Sequence, residues 1–169
     1  MLLLDVDGVL TDGTIVYADN DVEIKKYHVR DGSGLKLWHN AGKSTGIITG
    51  RQSRVVEIRG AELGIKVIRQ GVKDKLQVFR EILVELSVKP EAVCFVGDDV
   101  PDLPVMNNCG LSIAVADACT DVATRAHYVT RTPGGRGAVR EVVELLLKSQ
   151  GKWAEVVAGY DSQKLMPVD

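Results

Sequence analysis

The chain has 169 residues, 45% hydrophobic and 26% charged, a globular composition at the length of one compact domain, which excludes a disordered or fibrous protein. Its 21 basic and 23 acidic side chains give a net charge of −2, without the positive excess that nucleic-acid binding requires. Cys94, Cys109 and Cys119 lack C-x-x-C spacing, which argues against a disulfide framework or zinc knuckle and fits a reducing cytoplasm. No apolar run reaches the about 18 residues needed to cross a bilayer, and Asp5 and Asp7 interrupt the opening Met1-Leu2-Leu3-Leu4 before a signal-peptide core can form.

In chain order, residues 2–6 read as a strand, and residues 14–17 and 22–27 as a β-hairpin flap turning at Ala18-Asp19-Asn20-Asp21. A helix over 33–40 closed by Gly42, a strand over 45–49, a helix over 53–63 closed by Gly64 and a strand over 66–68 follow. Residues 74–86 predict a helix with Leu76, Phe79, Leu83 and Leu86 on one apolar face. Strands over 93–96, 112–115 and 128–130 precede a glycine-rich segment, Pro133-Gly134-Gly135-Arg136-Gly137, and a helix over about 138–147. Apolar runs alternating with helical periods give an α/β protein with a parallel sheet. Residues 1–150 form the expected domain and 151–169 a C-terminal tail.

Asp5 and Asp7 end the first strand, where i and i+2 carboxylates share a side of an extended chain and where open parallel sheets gather ligands. Both are candidates for chemistry, or they punctuate a turn. Thr49-Gly50-Arg51 offers a hydroxyl and backbone N–H groups suited to phosphate oxygens, or caps a helix. Lys75 sits in a first helical turn, unfavourable for a cation unless an anion compensates, or is a solvated lysine. Asp98, Asp99 and Asp102 after Gly97 suggest oxygen ligands for a hard cation such as Mg²⁺, or an acidic cap. Trp38, His39 and His127 read as packing residues.

These motifs resemble the capless phosphatases of the haloacid dehalogenase superfamily, and within it the branch acting on 3-deoxy-D-manno-octulosonate 8-phosphate (KDO 8-phosphate). The resemblance rests on Leu-Asp-Val-Asp-Gly-Val-Leu-Thr-Asp-Gly at 4–13, Val-Arg-Asp-Gly at 29–32 and Ile-Thr-Gly-Arg at 48–51. Asp-Lys at 74–75, Gly-Asp-Asp at 97–99 and Gly-Gly-Arg-Gly-Ala-Val-Arg-Glu at 134–141 complete it. It implies a Rossmann-like three-layer sandwich with a mainly parallel sheet, a small flap and no large cap domain. Asp5 would be the nucleophile and Asp7 the acid and base; Mg²⁺ would be held by Asp5, Asp98 and the main-chain oxygen of Asp7, with Asp99 and Asp102 supporting. Thr49, Gly50 and Lys75 would hold the phosphate. His28, Val29, Arg30, Asp31, Gly32, Arg51 and Arg59 would meet a small-molecule sugar-acid phosphate, although His28 stands where a small amide is usual and Asp31 could instead cap a helix.

The resemblance further implies a cytoplasmic homotetramer with sites completed between subunits, active in lipopolysaccharide precursor synthesis. The glycine-rich segment and tail would reach a neighbour's site. Alternatives are a phosphatase for a nine-carbon sialic-acid-type 9-phosphate or other sugar phosphate, a phospho-accepting receiver-like signalling domain, and a silent scaffold.

Overall fold

A computed structural model describes residues 1–161. The elements are β1 (Leu2–Leu4), β2 (Val16–Ala18), β3 (Val22–Ile24), α1 (Val29–Asn40), β4 (Thr45–Ile48), α2 (Arg54–Leu63), β5 (Val67–Arg69) and α3 (Lys75–Leu86). They continue with β6 (Cys94–Gly97), α4 (Leu103–Met106), β7 (Leu111–Ala114), α5 (Thr120–Ala123), β8 (Tyr128–Val129), α6 (Ala138–Ser149) and α7 (Trp153–Asp161).

Six strands form one sheet in the order β5-β4-β1-β6-β7-β8, and every pair in it is parallel. β2 and β3 pair antiparallel as the separate flap, so the fold is the expected α/β class. Strand β1 is central, with Leu4 level with Ile47 of β4 and Val96 of β6. The chain leaves β1 toward β4 and β5 and later returns to its other side as β6. That reversal opens a crevice at the carboxyl end of β1.

Period-2 alternation sorts β1 between two cores. Leu2 and Leu4 face α1, α2 and α6 through Leu35, Trp38, Val56, Val139 and Val143, whereas Leu3 faces α3, α4 and α5 through Phe79, Ile82, Val105 and Val122. All three leucines are fully buried, each worth about 1.5–3 kcal/mol of hydrophobic transfer. Helix α6 follows the same logic at period 3.6, burying Val139, Val142, Val143, Leu146 and Leu147.

Two expectations shift. In α3 the buried stripe is Lys75, Phe79 and Ile82, while Leu86 is exposed, because i, i+4, i+7 phasing places Ile82 above Phe79. The segment expected as a tail begins with α7, whose Trp153 and Val156 pack on the core. Trp153 lies under Arg140 and Lys148 at 5.4 and 5.2 Å, so one aromatic anchor secures the helix. The remainder of the expected tail lies outside the described residues. Among the described residues no helix is long and apolar enough to cross a membrane.

Candidate active site

Beyond β1, the Asp5 amide still bonds Val96 O at 3.0 Å, which fixes the Asp5 side chain at the crevice mouth. The chain then folds sharply: Val6 O accepts from the amides of Val9, Leu10 and Thr11, and Gly8 turns through φ +93°. A side chain there would also collide with Asp98, since a Cβ on Gly8 would lie 2.0 Å from Asp98 Oδ2. Asp5, Asp7, Thr49, Gly50, Arg51, Lys75, Asp98, Asp99, Pro101 and Asp102 line one cleft of about 190 Å³. A larger hollow of about 410 Å³ beside α7 has a lone carboxylate, Glu155, and a lone cation, Lys152, and no comparable cluster.

Charge organises the cleft floor. Lys75 Nζ bonds Asp102 Oδ1 at 2.7 Å and forms an ion pair with Asp5 Oδ1 at 3.0 Å. Burial opposes the lysine's charge, but Asp5 and Asp102 outweigh it and raise its pKa. The cation expected to need an anion therefore has two. Asp102 Oδ2 accepts from the amides of Asp98 and Asp99 at 3.0 and 3.3 Å, so both Asp102 oxygens are engaged. Asp99 caps the turn that follows, accepting from Val100 N at 2.8 Å.

Asp5, Asp98 and Asp102 bring carboxylate oxygens within 4.8 Å of one another. Burial, then the neighbouring Asp102, raises the Asp5 pKa to about 6; burial, then Asp5 and Asp102, raises that of Asp98 to about 8. Asp5 Oδ1 and Asp98 Oδ1 are buried and accept no hydrogen bond. Carboxylates grouped this closely, with Asp98 Oδ1 free of any partner, are a fitting donor set for a hard divalent cation, whose charge would restore Asp5 and Asp98 to the ionised form. Asp102, with no free oxygen, supports this pair.

The haloacid dehalogenase-like hydrolase profile matches residues 21–110. The chain is 51% identical over 155 residues to the KDO 8-phosphate phosphatase KdsC of Escherichia coli K12, covering 92% of this chain and 82% of that protein. The chain belongs to the haloacid dehalogenase-like hydrolase family. Its fold also superposes on the Moraxella catarrhalis KDO 8-phosphate phosphatase, solved in complex with magnesium, phosphate and KDO, with a TM-score of 0.92, 39% identity and coverage of 94% and 91%. A cobalt-bound phosphatase from Haemophilus influenzae gives a TM-score of 0.88 at 38% identity, covering 93% and 95%.

In this hydrolase the flap closes one side of the cleft. The Lys25 ammonium, its side chain 2% exposed, bonds Asp7 Oδ1 and lies 3.5 Å from Glu23 Oε1. Arg51 Nη2 donates to Glu23 Oε1 at 3.1 Å and to the Tyr17 hydroxyl at 2.9 Å, and Ser53 Oγ donates to Glu23 Oε2. Tyr17, Glu23, Lys25 and Ser53 were not among the expected site residues. The signal was the alternation of Glu23 and Lys25 with Val22 and Ile24, which puts both charges on one face of the hairpin.

The other expected substrate contacts do not line the hydrolase cleft. Asp31 is buried and caps α6, accepting from Gly137 N at 3.2 Å and Arg140 N at 2.8 Å; it caps a distant helix rather than the one that contains it. Gly32 is buried beneath Arg59, which pairs with Glu62 at 3.0 Å and lies over the Tyr27 ring at 5.7 Å. Val29 is exposed, Arg30 borders a separate hollow with Arg136 and Arg140, and His28 lies beside Gly137. The glycine-rich segment packs against the turn that follows β1: Gly135 N bonds Val9 O at 2.9 Å. A Cβ on Gly134 would lie 1.6 Å from Gly8 O, so only glycine fits that approach. Trp38 Nε1 bonds Ser44 O, His39 bonds Thr45 and His127 bonds Ser112, as packing residues do.

Proposed function

We propose that the protein is a cytoplasmic Mg²⁺-dependent phosphatase that hydrolyses KDO 8-phosphate to KDO and inorganic phosphate, a step toward lipopolysaccharide precursors. The observation that carries this is the grouping of Asp5, the open oxygen of Asp98 and the Lys75 ammonium at the end of β1, with Asp7 two residues beyond. The names of similar proteins supply the substrate.

Asp5 attacks phosphorus as the bond to the sugar oxygen breaks, giving an aspartyl-phosphate, and Asp7 supplies the proton that the departing alkoxide needs. Asp7 then takes a proton from water, which attacks the same phosphorus and returns Asp5 as carboxylate. Asp5, Asp98 and the Asp7 main-chain oxygen would hold Mg²⁺, which when bound neutralises charge on the phosphate. Thr49, Gly50 and Lys75 take the non-bridging oxygens, with Lys75 held ready by Asp102. Arg51 is assigned to the substrate carboxylate, for which its guanidinium fork is suited.

Phosphate release measured across KDO 8-phosphate, a nine-carbon sugar-acid 9-phosphate and neutral sugar phosphates is expected to be selective for the first and to stop with a chelator. Preference for another compound would move the substrate. A stable stoichiometric phosphoprotein would replace turnover with a receiver-like role.

The flap also supports a homotetramer. Ile15, Tyr17, Val22 and Ile24 are exposed on it, an apolar group that neighbouring flaps would cover. Light scattering is expected to give the mass of four chains; a monomer at micromolar concentration would overturn this.

A further inference from the structure

The flap carboxylate Glu23 sits where an anion meets Arg51, and its hold on that arginine is incomplete. Its Oε1 takes Nη2 at 3.1 Å, whereas Arg51 Nε is buried without a hydrogen-bond partner and is 3.7 Å from Asp7 Oδ2. A fork engaged through Nη2 alone is weaker than one taken by both oxygens of a carboxylate. Glu23 is also anchored elsewhere, through Oε2 to Ser53 Oγ, which prevents it from turning both oxygens toward the guanidinium. Its pKa is lowered, by the Ser53 hydroxyl above all, so it is an anion at neutral pH.

We infer that Glu23 is a specificity-determining residue: it occupies Arg51 in the substrate-free enzyme as an internal substitute for the substrate carboxylate and yields the arginine by exchange. The inference rests on the reading of Arg51 as the partner of a sugar-acid carboxylate. A substrate with a carboxylate replaces a one-point contact by a two-point contact and leaves no charge unpaired. Glu23 keeps its Ser53 bond and its proximity to Lys25 after the exchange. A phosphate ester without a carboxylate leaves Arg51 on the flap and gains nothing from it. Discrimination thus comes from a competitor built into the site as well as from an attraction.

Glu23→Gln, which keeps the shape and removes the charge, separates these effects. Its KM for KDO 8-phosphate is expected to fall about tenfold, and that for p-nitrophenyl phosphate, which has no carboxylate, to change less than about twofold. Ser53→Ala, which releases the anchor that keeps Glu23 from offering Arg51 both oxygens, is expected to raise the KM for KDO 8-phosphate by about threefold. An unchanged or raised KM for KDO 8-phosphate in Glu23→Gln, an equal fall for the two compounds in that variant, or an unchanged or lowered KM in Ser53→Ala overturns the exchange. Failure of the wild-type enzyme to release phosphate from KDO 8-phosphate would instead overturn the substrate reading on which the exchange rests.

Discussion

Asp5→Asn is expected to lower phosphate release by on the order of 10⁴-fold or more, with the fold intact. The amide has the volume of the carboxylate and cannot form an acyl phosphate. The native fold tolerates a neutral group at this position, because burial and Asp102 already raise the Asp5 pKa from 3.8 to about 6. The sign follows from proton binding: the folded protein holds the Asp5 proton more tightly than the unfolded chain. The associated stabilisation is complete below pH 4 and is lost as pH rises through about 6. The Asn variant escapes that loss, so in metal-free buffer at pH 8 its Tm is expected to equal or exceed that of the wild type. Phosphate release and thermal melts check the two halves; retained turnover would overturn the nucleophile assignment.

Lys75→Met should damage both stability and catalysis. The Lys75 side chain is 6% exposed and pairs with Asp102, itself 1% exposed, and with Asp5. Removing a partner from such a cluster leaves buried carboxylate charge uncompensated, at a cost of about 3–5 kcal/mol, or a Tm lower by about 10 °C in a domain of this size. Turnover is expected to fall by about 10²- to 10³-fold, because the same ammonium is aimed where phosphate charge develops. Adding Asp102→Asn separates the effects: with the stranded carboxylate neutralised, most of the stability is expected to return while turnover does not. Unaltered unfolding in Lys75→Met would show that the buried ion pairs contribute nothing to the fold, and unaltered turnover would remove the lysine from the site.

The parts legible in sequence are those written in short-range pattern. Strands β1, β4 and β6 are apolar runs that stop at or near Asp5, Thr49 and Asp98, and their alignment in the sheet turns three separated motifs into one cleft. The roles of Asp31 and Lys25 were less visible, because each depends on a partner far along the chain. Asp31 caps a helix that starts more than a hundred residues later, and no local spacing distinguishes that cap from a ligand. Lys25 looks like an ordinary surface lysine until the hairpin folds over Asp7. Helices α4 and α5 have four residues each, too few for a helical period to register. For α3, four leucine and phenylalanine positions suggested one stripe, and Ile82 took the inner place by a difference of helical phase.

The central position of β1 has a consequence for how the chain is made. Leu2-Leu3-Leu4 emerges from the ribosome ahead of both of its partners, which start at Thr45 and Cys94. One edge of this apolar segment waits for β4 and the other for β6, about ninety residues further on, a delay intrinsic to parallel sheets with distant pairing. At a translation speed of about 5–20 residues per second, the interval before β6 emerges lasts on the order of 5–20 s. During that time the three leucines, buried in the folded protein, remain exposed apolar surface with an open strand edge.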